Sequence, residues 1–246
     1  MEKITMSKRS TLSIQEAFEM FIRKCKIKNL TDLSISSYQK KMVHFYEFID
    51  KNEPITTVTS DTVDEYILWL RENTEANDIT INSYLRSVRA FLYYCMECNY
   101  IPSFKISLIK AEKKIKETYT DEELAILLEK PKKNCDFCEY RNWVIINFLL
   151  NSGCRAATVR NIQNQDVDLA RKQIVLRHTK NGKVQVIPLC SSMVAILRDY
   201  MVIRSGGSSD YLVCNEFGDL LTENALRLAI VKYNNTRGVD RTSLHA

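Results

Sequence analysis

Apolar side chains recur at steps of three and four residues through the first hundred positions of the chain. This is the period of a helix that buries one face. Ser13 and Glu16 form a capping-box pair just before the first periodic run. The pattern predicts helices that begin at Ser13, at Ser34, at Ser60 or Asp61, and near Thr80, the last of them running to about Asn99. Residues 12–103 are therefore expected to form a helical domain, after a flexible tail at 1–11.

The pattern changes in the second half of the chain, where helical and strand-like segments are mixed. Thr120 and Glu123 form another capping box, and the nearly continuous apolar run at 140–151 predicts a buried helix that ends at Gly153. Asn181 and Gly182 are a strong hairpin signal, because both residues tolerate positive φ. The other predicted elements are a short helix at 156–162, strands at 173–178 and 184–189, and helices at 192–204 and 222–235. The fold class expected is mainly α, with a small antiparallel β-hairpin or sheet in the second domain.

Composition places the chain among ordinary globular proteins. Of its 246 residues, 45% are hydrophobic and 26% are charged, with only 6 Gly and 4 Pro. No apolar run approaches the roughly 20 residues that a membrane-spanning helix needs, and the N-terminus lacks the apolar core of a signal peptide. We therefore expect a cytoplasmic protein that has no membrane partner.

Eight cysteines are present, and they are expected to stay reduced in that compartment. Two Cys-x-x-Cys pairs occur, Cys95 with Cys98 and Cys135 with Cys138, and zinc sites use the same spacing. The first pair lies within an apolar helical run, and the two pairs fall in different predicted domains. Buried or half-buried thiols are the favoured interpretation, so we expect no metal and no cofactor. A zinc-binding helical scaffold is the alternative.

Basic residues cluster in two segments of the chain, although the net charge is only +5. Residues 155–185 hold seven Lys or Arg against two Asp, and residues 104–118 hold five Lys against two Glu. We interpret 104–118 as a basic interdomain linker. Two such segments favour a polyanionic partner, and a stretch that crosses DNA between two domains would need this charge, although a solvated linker has the same composition. The candidate contacts in the linker are Lys105, Lys110, Lys113 and Lys114.

A polar face on the fourth predicted helix offers a second candidate for DNA contact. Its members recur at three- and four-residue steps and so share one side of the cylinder: Asn82, Arg86, Arg89 and Tyr93. Arg and Asn beside an aromatic ring suit contacts to phosphates and base edges. A solvated polar face is the alternative interpretation.

Three cationic or protonatable residues stand out in the second domain: Arg155 after the buried helix, Lys180 in the hairpin turn and His245 near the last residue. The sequence has no paired carboxylates at metal-site spacing, no Gly-rich phosphate loop and no Gly-x-Ser-x-Gly elbow. Arg, Lys and His together can stabilise a phosphorane-like transition state with fixed positive charge. The pattern therefore indicates phosphoryl chemistry without a metal.

The stretch LLNSGCRAATVRNIQNQDVDLARKQIVLRHTKNGKVQVIPL resembles the centre of the catalytic domain of phage integrases, the tyrosine recombinases. LVCNEFGDLLTENALRLAIVKY and GVDRTSLHA resemble the segments that lead into that family's His-x-x-Arg motif. TINSYLRSVRAFLYY resembles part of its core-binding domain, so the resemblance covers nearly the whole chain in order. It implies a SAM-like four-helix core-binding domain at 12–103 and a tyrosine recombinase catalytic domain at 119–246.

The resemblance also implies roles and a reaction. Arg155 stands where the family binds the scissile phosphate, Lys180 where it protonates the leaving 5′-oxygen, and His245 at the His of His-x-x-Arg. The family cuts and rejoins DNA in site-specific recombination and integration, through a 3′-phosphotyrosine intermediate and without a metal. Its members assemble on DNA as tetramers.

Two departures from the family pattern qualify these implications. Thr158 occupies a position that is usually acidic. The sequence stops at Ala246, before the family's second arginine and its nucleophilic tyrosine, so no nucleophile is assigned. We expect this chain to be inactive in cleavage on its own, to lack a stable tetramer, and to expose apolar side chains of its last predicted helix: Leu226, Ile230 and Tyr233. A cleavage-incompetent remnant that occupies DNA sites as a competitor or regulator is the alternative function.

Overall fold

In the computed structural model the chain forms two compact units, Met1–Ile115 and Lys116–Ala246, called here the first and the second unit. The structure describes residues 12–112, 118–179 and 182–240. Each unit is built around a hydrophobic core of its own, which is the usual property of a domain. Among the described residues, no helix has the length and apolar character needed to cross a membrane.

The first unit is helical, as its periodicity predicts. Its helices are α1 (Ile14–Ile27), α2 (Asp32–Phe48), α3 (Ser60–Asn73) and α4 (Asp78–Glu97), with a 3₁₀ turn at Ile55–Thr57. The capping box of Ser13 and Glu16 is confirmed. The other three helices begin slightly earlier than predicted, because the residues with the extended backbone of a cap are Thr31, Thr59 and Asn77.

Aromatic side chains fill the core of the first unit. Phe45 and Tyr66 are fully buried, and their rings meet edge-on with centroids 5.1 Å apart. Phe91 meets Phe18 in the same way at 5.4 Å. Edge-to-face contact adds to the burial of apolar area, because the positive edge of one ring meets the negative face of the other. The helices of this unit are therefore held together mainly by apolar packing.

The second unit combines helices with a small sheet. Its helices are α5 (Asp121–Leu128), α6 (Phe137–Ser152), α7 (Ala156–Arg160), α8 (Ser191–Arg204) and α9 (Glu223–Asn235). The capping box of Thr120 is confirmed, and so is the end of α6 at Gly153. Gly153 has φ 62°, where a residue with a Cβ would be strained, so glycine permits the turn that follows α6.

The sheet has three antiparallel strands in the order β1 (Val167–Asp168), β2 (Gln173–Leu176) and β3 (Gln185–Pro188). Ile174 in β2 pairs with Val167 in β1 and with Ile187 in β3. The predicted hairpin of β2 and β3 is confirmed, with strands shorter than expected. β1 is not predicted by the sequence, because two residues are too few to display an alternating pattern.

The apolar residues of α9 are covered, which corrects an expectation from the sequence. Leu226, Ile230 and Tyr233 have relative exposures of 1%, 2% and 3%. They belong to the core of the second unit, where α9 packs against α6 and α7. The Tyr233 hydroxyl also donates a hydrogen bond to the carbonyl oxygen of Leu127 at 3.0 Å. The prediction that these side chains are exposed is therefore wrong.

Candidate phosphate-binding site and nucleic-acid interface

Arg155 is placed by a change of backbone direction between α6 and α7. After Gly153 the chain becomes extended, and Arg155, at φ −71° and ψ 144°, is the N-cap of α7. Its carbonyl oxygen accepts hydrogen bonds from the N–H groups of Thr158 and Val159, at 2.9 and 3.1 Å. The residue is exposed, and within the described part of the chain its guanidinium makes no hydrogen bond or ion pair. A cation held on a defined backbone with its donors free is suited to bind a phosphate.

The position of the family's usual acidic residue lies inside the second unit. Thr158 has a relative exposure of 7% and lies on the buried side of α7. A buried carboxylate is present at Asp166, whose side chain is 1% exposed. Its Oδ2 accepts the N–H of Gln163 at 3.0 Å, and its Oδ1 accepts Nε–H of Arg177 at 2.5 Å. Sequence reasoning missed this pair, since its members meet only because β1 and β2 fold back on each other.

Two hydrogen bonds link the described residues on either side of Lys180 and Asn181. The Thr179 hydroxyl donates to the carbonyl oxygen of Lys183 at 2.7 Å, and the N–H of Gly182 donates to the carbonyl oxygen of Thr179 at 3.0 Å. Gly182 has φ 67°, as the predicted turn requires. Lys180 itself and His245 lie outside the described residues, so their roles stay predictions.

The polar face of α4 is divided between buried and exposed residues. Asn82 was expected to point outward, but its relative exposure is 4%. Its Nδ2 donates to the carbonyl oxygen of Ile109 at 2.9 Å, and its Oδ1 accepts the N–H of Ile109 at 3.0 Å. The amide thus imitates a strand neighbour and satisfies both backbone groups of one residue. Asn82 fixes the segment after α4 and has no exposed surface to offer to a ligand.

Three other residues of that face remain accessible. Arg86 is exposed, Arg89 is half-buried and Tyr93 is 42% exposed. The Tyr93 hydroxyl accepts the N–H of Ile106 at 3.3 Å, so it also holds the segment after α4. Arg86 lines a shallow depression together with polar and apolar residues of α2 and the turn before it, among them Ser34, Ser37, Tyr38 and Lys41. A basic side chain beside hydroxyl groups is suited to contact phosphate and sugar oxygens.

The described part of the predicted linker packs against the first unit. Ile106 is 4% exposed and belongs to the core of that unit, with Phe104 and Ile109 partly buried against it. Lys105 and Lys110 alternate with these apolar residues and are exposed. Lys113 and Lys114 lie outside the described residues. Anchoring by Asn82 and Tyr93 therefore presents the first two lysines from a fixed backbone.

The cysteines do not assemble a metal site in the part of the chain that the structure describes. No group of three or more His, Cys, Asp or Glu side chains is close enough there to hold a metal ion. The two Cys-x-x-Cys pairs belong to different units. Cys95 is fully buried in the core of the first unit, and burial raises the pKa of its thiol to about 12. Such a thiol is protonated at neutral pH and is a poor ligand.

Comparisons with known proteins agree with this architecture. The phage integrase family matches residues 117–246, and the phage integrase SAM-like domain matches residues 7–115. Tyrosine recombinase XerC of Roseiflexus castenholzii is 25% identical over 245 residues, which cover 94% of this chain and 77% of that protein. Tyrosine recombinase XerC of Staphylococcus aureus is 24% identical, over 88% of this chain and 74% of the relative.

Solved structures with the same fold include two integrases. Tn1549 transposon integrase, in complex with transposon right end DNA, aligns with a TM-score of 0.74 at 18% identity, over 91% of this chain and 79% of that one. Lambda integrase, as a dimer bound to a COC′ core site, aligns with a TM-score of 0.73 at 10% identity, over 95% and 83%. Since the matched catalytic domain alone covers more than half of its length, the chain belongs to the phage integrase family.

Proposed function

We propose that the protein acts in site-specific DNA recombination and binds double-stranded DNA at its target site through both units. The observation that carries this proposal is the Arg155 guanidinium, which is exposed, fixed at its backbone and unpaired among the described residues. Family membership and the similarity to tyrosine recombinases XerC support the same function. Both integrases described above were solved on DNA.

The proposed chemistry is transfer of a phosphoryl group without a metal. Arg155 binds the non-bridging oxygens of the scissile phosphate and stabilises the charge that grows on them as the phosphorus becomes five-coordinate. A tyrosine hydroxyl gives its proton to His245 or to water as its oxygen forms a bond to phosphorus, while the bond from phosphorus to the 5′-oxygen breaks. Lys180 gives its proton to that departing oxygen, and His245 assists at the phosphate. The reverse reaction rejoins the strand.

No tyrosine of the printed sequence is assigned the nucleophile's role. Several of the 12 are unsuited to it because they are buried in a core, where the phenolate is disfavoured. Burial raises the pKa of Tyr233 to about 12, and it also raises the pKa of Tyr66 and of Tyr200. The alternative function, a DNA-site binder that does not cleave, uses the same phosphate contacts.

The first unit is proposed to supply the remaining DNA contacts. Arg86, Arg89, Lys105 and Lys110 carry charge on the surface of α4 and on the segment anchored to it, and Lys113 and Lys114 extend the same basic run. Asn82 and Tyr93 set the position of that segment through their bonds to Ile109 and Ile106. The proposed location is the cytoplasm, where the eight thiols stay reduced.

The test uses nicked duplexes that carry candidate attachment sites. A native gel reads binding, and a denaturing gel reads covalent protein–DNA species. Arg155→Ala is expected to weaken binding at least several-fold, because a charge-assisted contact to phosphate is lost. Arg198→Ala, at an exposed position of α8, is the matched control and leaves binding unchanged.

The outcomes separate the two functions. Binding together with an Arg155-dependent adduct supports cleavage by this chain. Binding without an adduct supports the site binder. If the chain binds no duplex, or if its binding does not weaken with added salt, both functions are contradicted.

A further inference from the structure

Arg177 occupies a distinctive place at the end of the sheet. It directly follows β2 and stands three residues before Lys180. Its side chain is 51% exposed, whereas its partner Asp166 is almost wholly enclosed, with 1% of its side chain exposed. The two differ in the direction they face: the carboxylate is inside the second unit and the guanidinium reaches from it to the surface.

The carboxylate of Asp166 fixes the orientation of this guanidinium. One oxygen is held by the N–H of Gln163 at 3.0 Å, and the other accepts Nε–H of Arg177 at 2.5 Å. A buried carboxylate is strongly disfavoured without a cationic partner, which keeps the two groups together. Because Nε is the nitrogen closest to the chain, its bond to Asp166 sets the plane of the guanidinium while leaving the outer fork available.

The outer fork of Arg177 is free in the part of the chain that the structure describes. No hydrogen bond there involves either terminal nitrogen of this residue. His178 and Lys183 also carry side-chain nitrogens, are exposed and lie close to Arg177 in the sequence. A planar fork with two parallel N–H groups is the geometry that binds phosphate oxygens in pairs. Since the fork is already oriented, less side-chain freedom is lost when it binds.

We propose that Arg177 binds a backbone phosphate of double-stranded DNA and that Asp166 is the positioning residue that orients its guanidinium. The inference rests on the proposed function, since it adds a contact to the same DNA-binding surface of the second unit. Arg177 is distinct from Arg155, which caps α7, and from Lys180, whose assigned role is proton transfer. Its contact is to the phosphate backbone, so it contributes equally to binding of any duplex sequence.

The test is the salt dependence of duplex binding by the complete chain, measured with a mixed-sequence duplex across a range of salt concentrations. Each phosphate contact contributes about 0.9 to the slope of log K against log salt concentration. Arg177→Gln is expected to lower this slope by about one contact. A change in the folded fraction that is itself independent of salt shifts log K by a constant and leaves the slope unchanged. The folded fraction of each variant is therefore measured across the same salt range.

Three further variants examine the part played by Asp166. Arg177→Lys keeps the charge but replaces the fork with a single ammonium, which the buried carboxylate retains, so the slope is expected to fall as in Arg177→Gln. Asp166→Asn is expected to lower the slope as well, and Asp166→Asn with Arg177→Gln to lower it no further. The matched control is Arg171→Gln, at the opposite end of β2, where an Arg with 78% side-chain exposure is 3.8 Å from Asp168. This control leaves the slope unchanged.

Each outcome tests a different part of the proposal. An unchanged slope in Arg177→Gln, in a chain that binds duplex through Arg155, overturns this inference alone. A slope that falls in Arg177→Gln but is kept in Arg177→Lys and in Asp166→Asn overturns the positioning role of Asp166. Equal losses in Arg177→Gln and Arg171→Gln overturn a specific contact. If the unaltered chain does not bind duplex, the proposed function fails and this inference fails with it.

Discussion

The cores of the two units differ in the kinds of side chain that they bury. Among the described residues, the first unit buries a dense set of rings and very few polar side chains, Asn82 and Ser87. The second unit buries polar side chains throughout its interior: Arg141, Asn142, Asn147, Thr158, Asp166 and Asn234. Apolar packing is non-directional, whereas a buried polar group must meet a partner at a defined place. The first core therefore supports a surface, and the second also sets the directions of particular chain segments.

Arg141 shows what the second core achieves. Its relative exposure is 3%, and its Nη1 donates to the carbonyl oxygen of Cys214 at 2.9 Å. Its Nε and Nη2 donate to Oδ1 of Asn142 at 3.2 and 2.9 Å. The bond to Cys214 joins α6 to a segment 73 residues further along the chain. The helix that leads to Arg155 is thereby held to the segment that leads into α9.

The comparison predicts that the first unit is most sensitive to lost volume. Phe45→Ala should reduce the free energy of unfolding of that unit by about 4 kcal/mol, because a fully buried ring leaves a cavity. The measurement is urea unfolding followed by Trp69 fluorescence in a Trp143→Phe background, since the chain has 2 Trp, one in each unit. Phe45→Leu, which keeps most of the volume, is the control and should cost much less. A loss below about 1 kcal/mol for the alanine variant would contradict an aromatic-dependent core.

The second unit should be most sensitive to a lost buried donor. Arg141→Met keeps much of the side-chain length but leaves the Cys214 carbonyl and the Asn142 amide oxygen without their donor. We expect a loss of about 3 kcal/mol, read by Trp143 fluorescence in a Trp69→Phe background. Arg227→Met is the matched control at an exposed position of α9, where little change is expected. If Arg141→Met were as stable as the unaltered chain, the polar core would be dispensable and the comparison would fail.

Asn82 is a buried polar side chain in the otherwise apolar core of the first unit, and its substitution tests what it contributes there. Asn82→Leu removes both hydrogen bonds to Ile109 and leaves a backbone N–H and a backbone carbonyl without partners. We expect a loss of about 2 kcal/mol in the first unit. Hydrogen exchange should also become faster at the Ile109 amide. Amides in the middle of α1 should lose protection only as far as the lower free energy of unfolding of the first unit requires. Unchanged exchange at Ile109 would show that packing of Ile106 alone holds this segment.

The smallest expected effect gives the sharpest contrast, because one substitution has opposite signs in the two units. Tyr66 and Tyr200 are both fully buried. The Tyr66 hydroxyl has no hydrogen-bond partner among the described residues, whereas the Tyr200 hydroxyl donates to the carbonyl oxygen of Leu212 at 2.9 Å. Tyr66→Phe should raise stability by about 1 kcal/mol and Tyr200→Phe should lower it by about the same amount. Effects of the same sign would remove the distinction between the two cores.

The parts of the fold that the sequence predicts are those with short-range causes. The capping boxes at Ser13 and Thr120 act over three residues, and Gly153 ends α6 through its own backbone angle. The hairpin of β2 and β3 follows from alternation and a Gly-containing turn. Each of these signals is complete within a few neighbouring residues, which is why it can be read without knowing the rest of the chain.

The missed features depend on residues that are distant in sequence. Asn82 has the spacing of an exposed face, but Ile109 returns and covers it. Asp166 meets Arg177 only after β1 and β2 have paired. The burial of Leu226 required knowledge of how α9 packs against α6 and α7. For the candidate site, the sequence indicates the type of chemistry at Arg155, whereas its orientation and lack of a partner come from the tertiary structure.

The burial of Arg141 has a consequence for the order of folding. Its guanidinium gives up its hydration shell only when the Cys214 carbonyl arrives, and the two are separated by 73 residues of chain. Loop length does not separate the units, because the first unit closes an equally long loop between Phe18 and Phe91. That contact is apolar, whereas the second unit must also remove water from a charged group. We therefore expect the second unit to refold after the first, with its slowest phase set by the docking of the Cys214 segment on α6. During synthesis the first unit would therefore fold before the segment around Cys214, which the second unit needs, has been made.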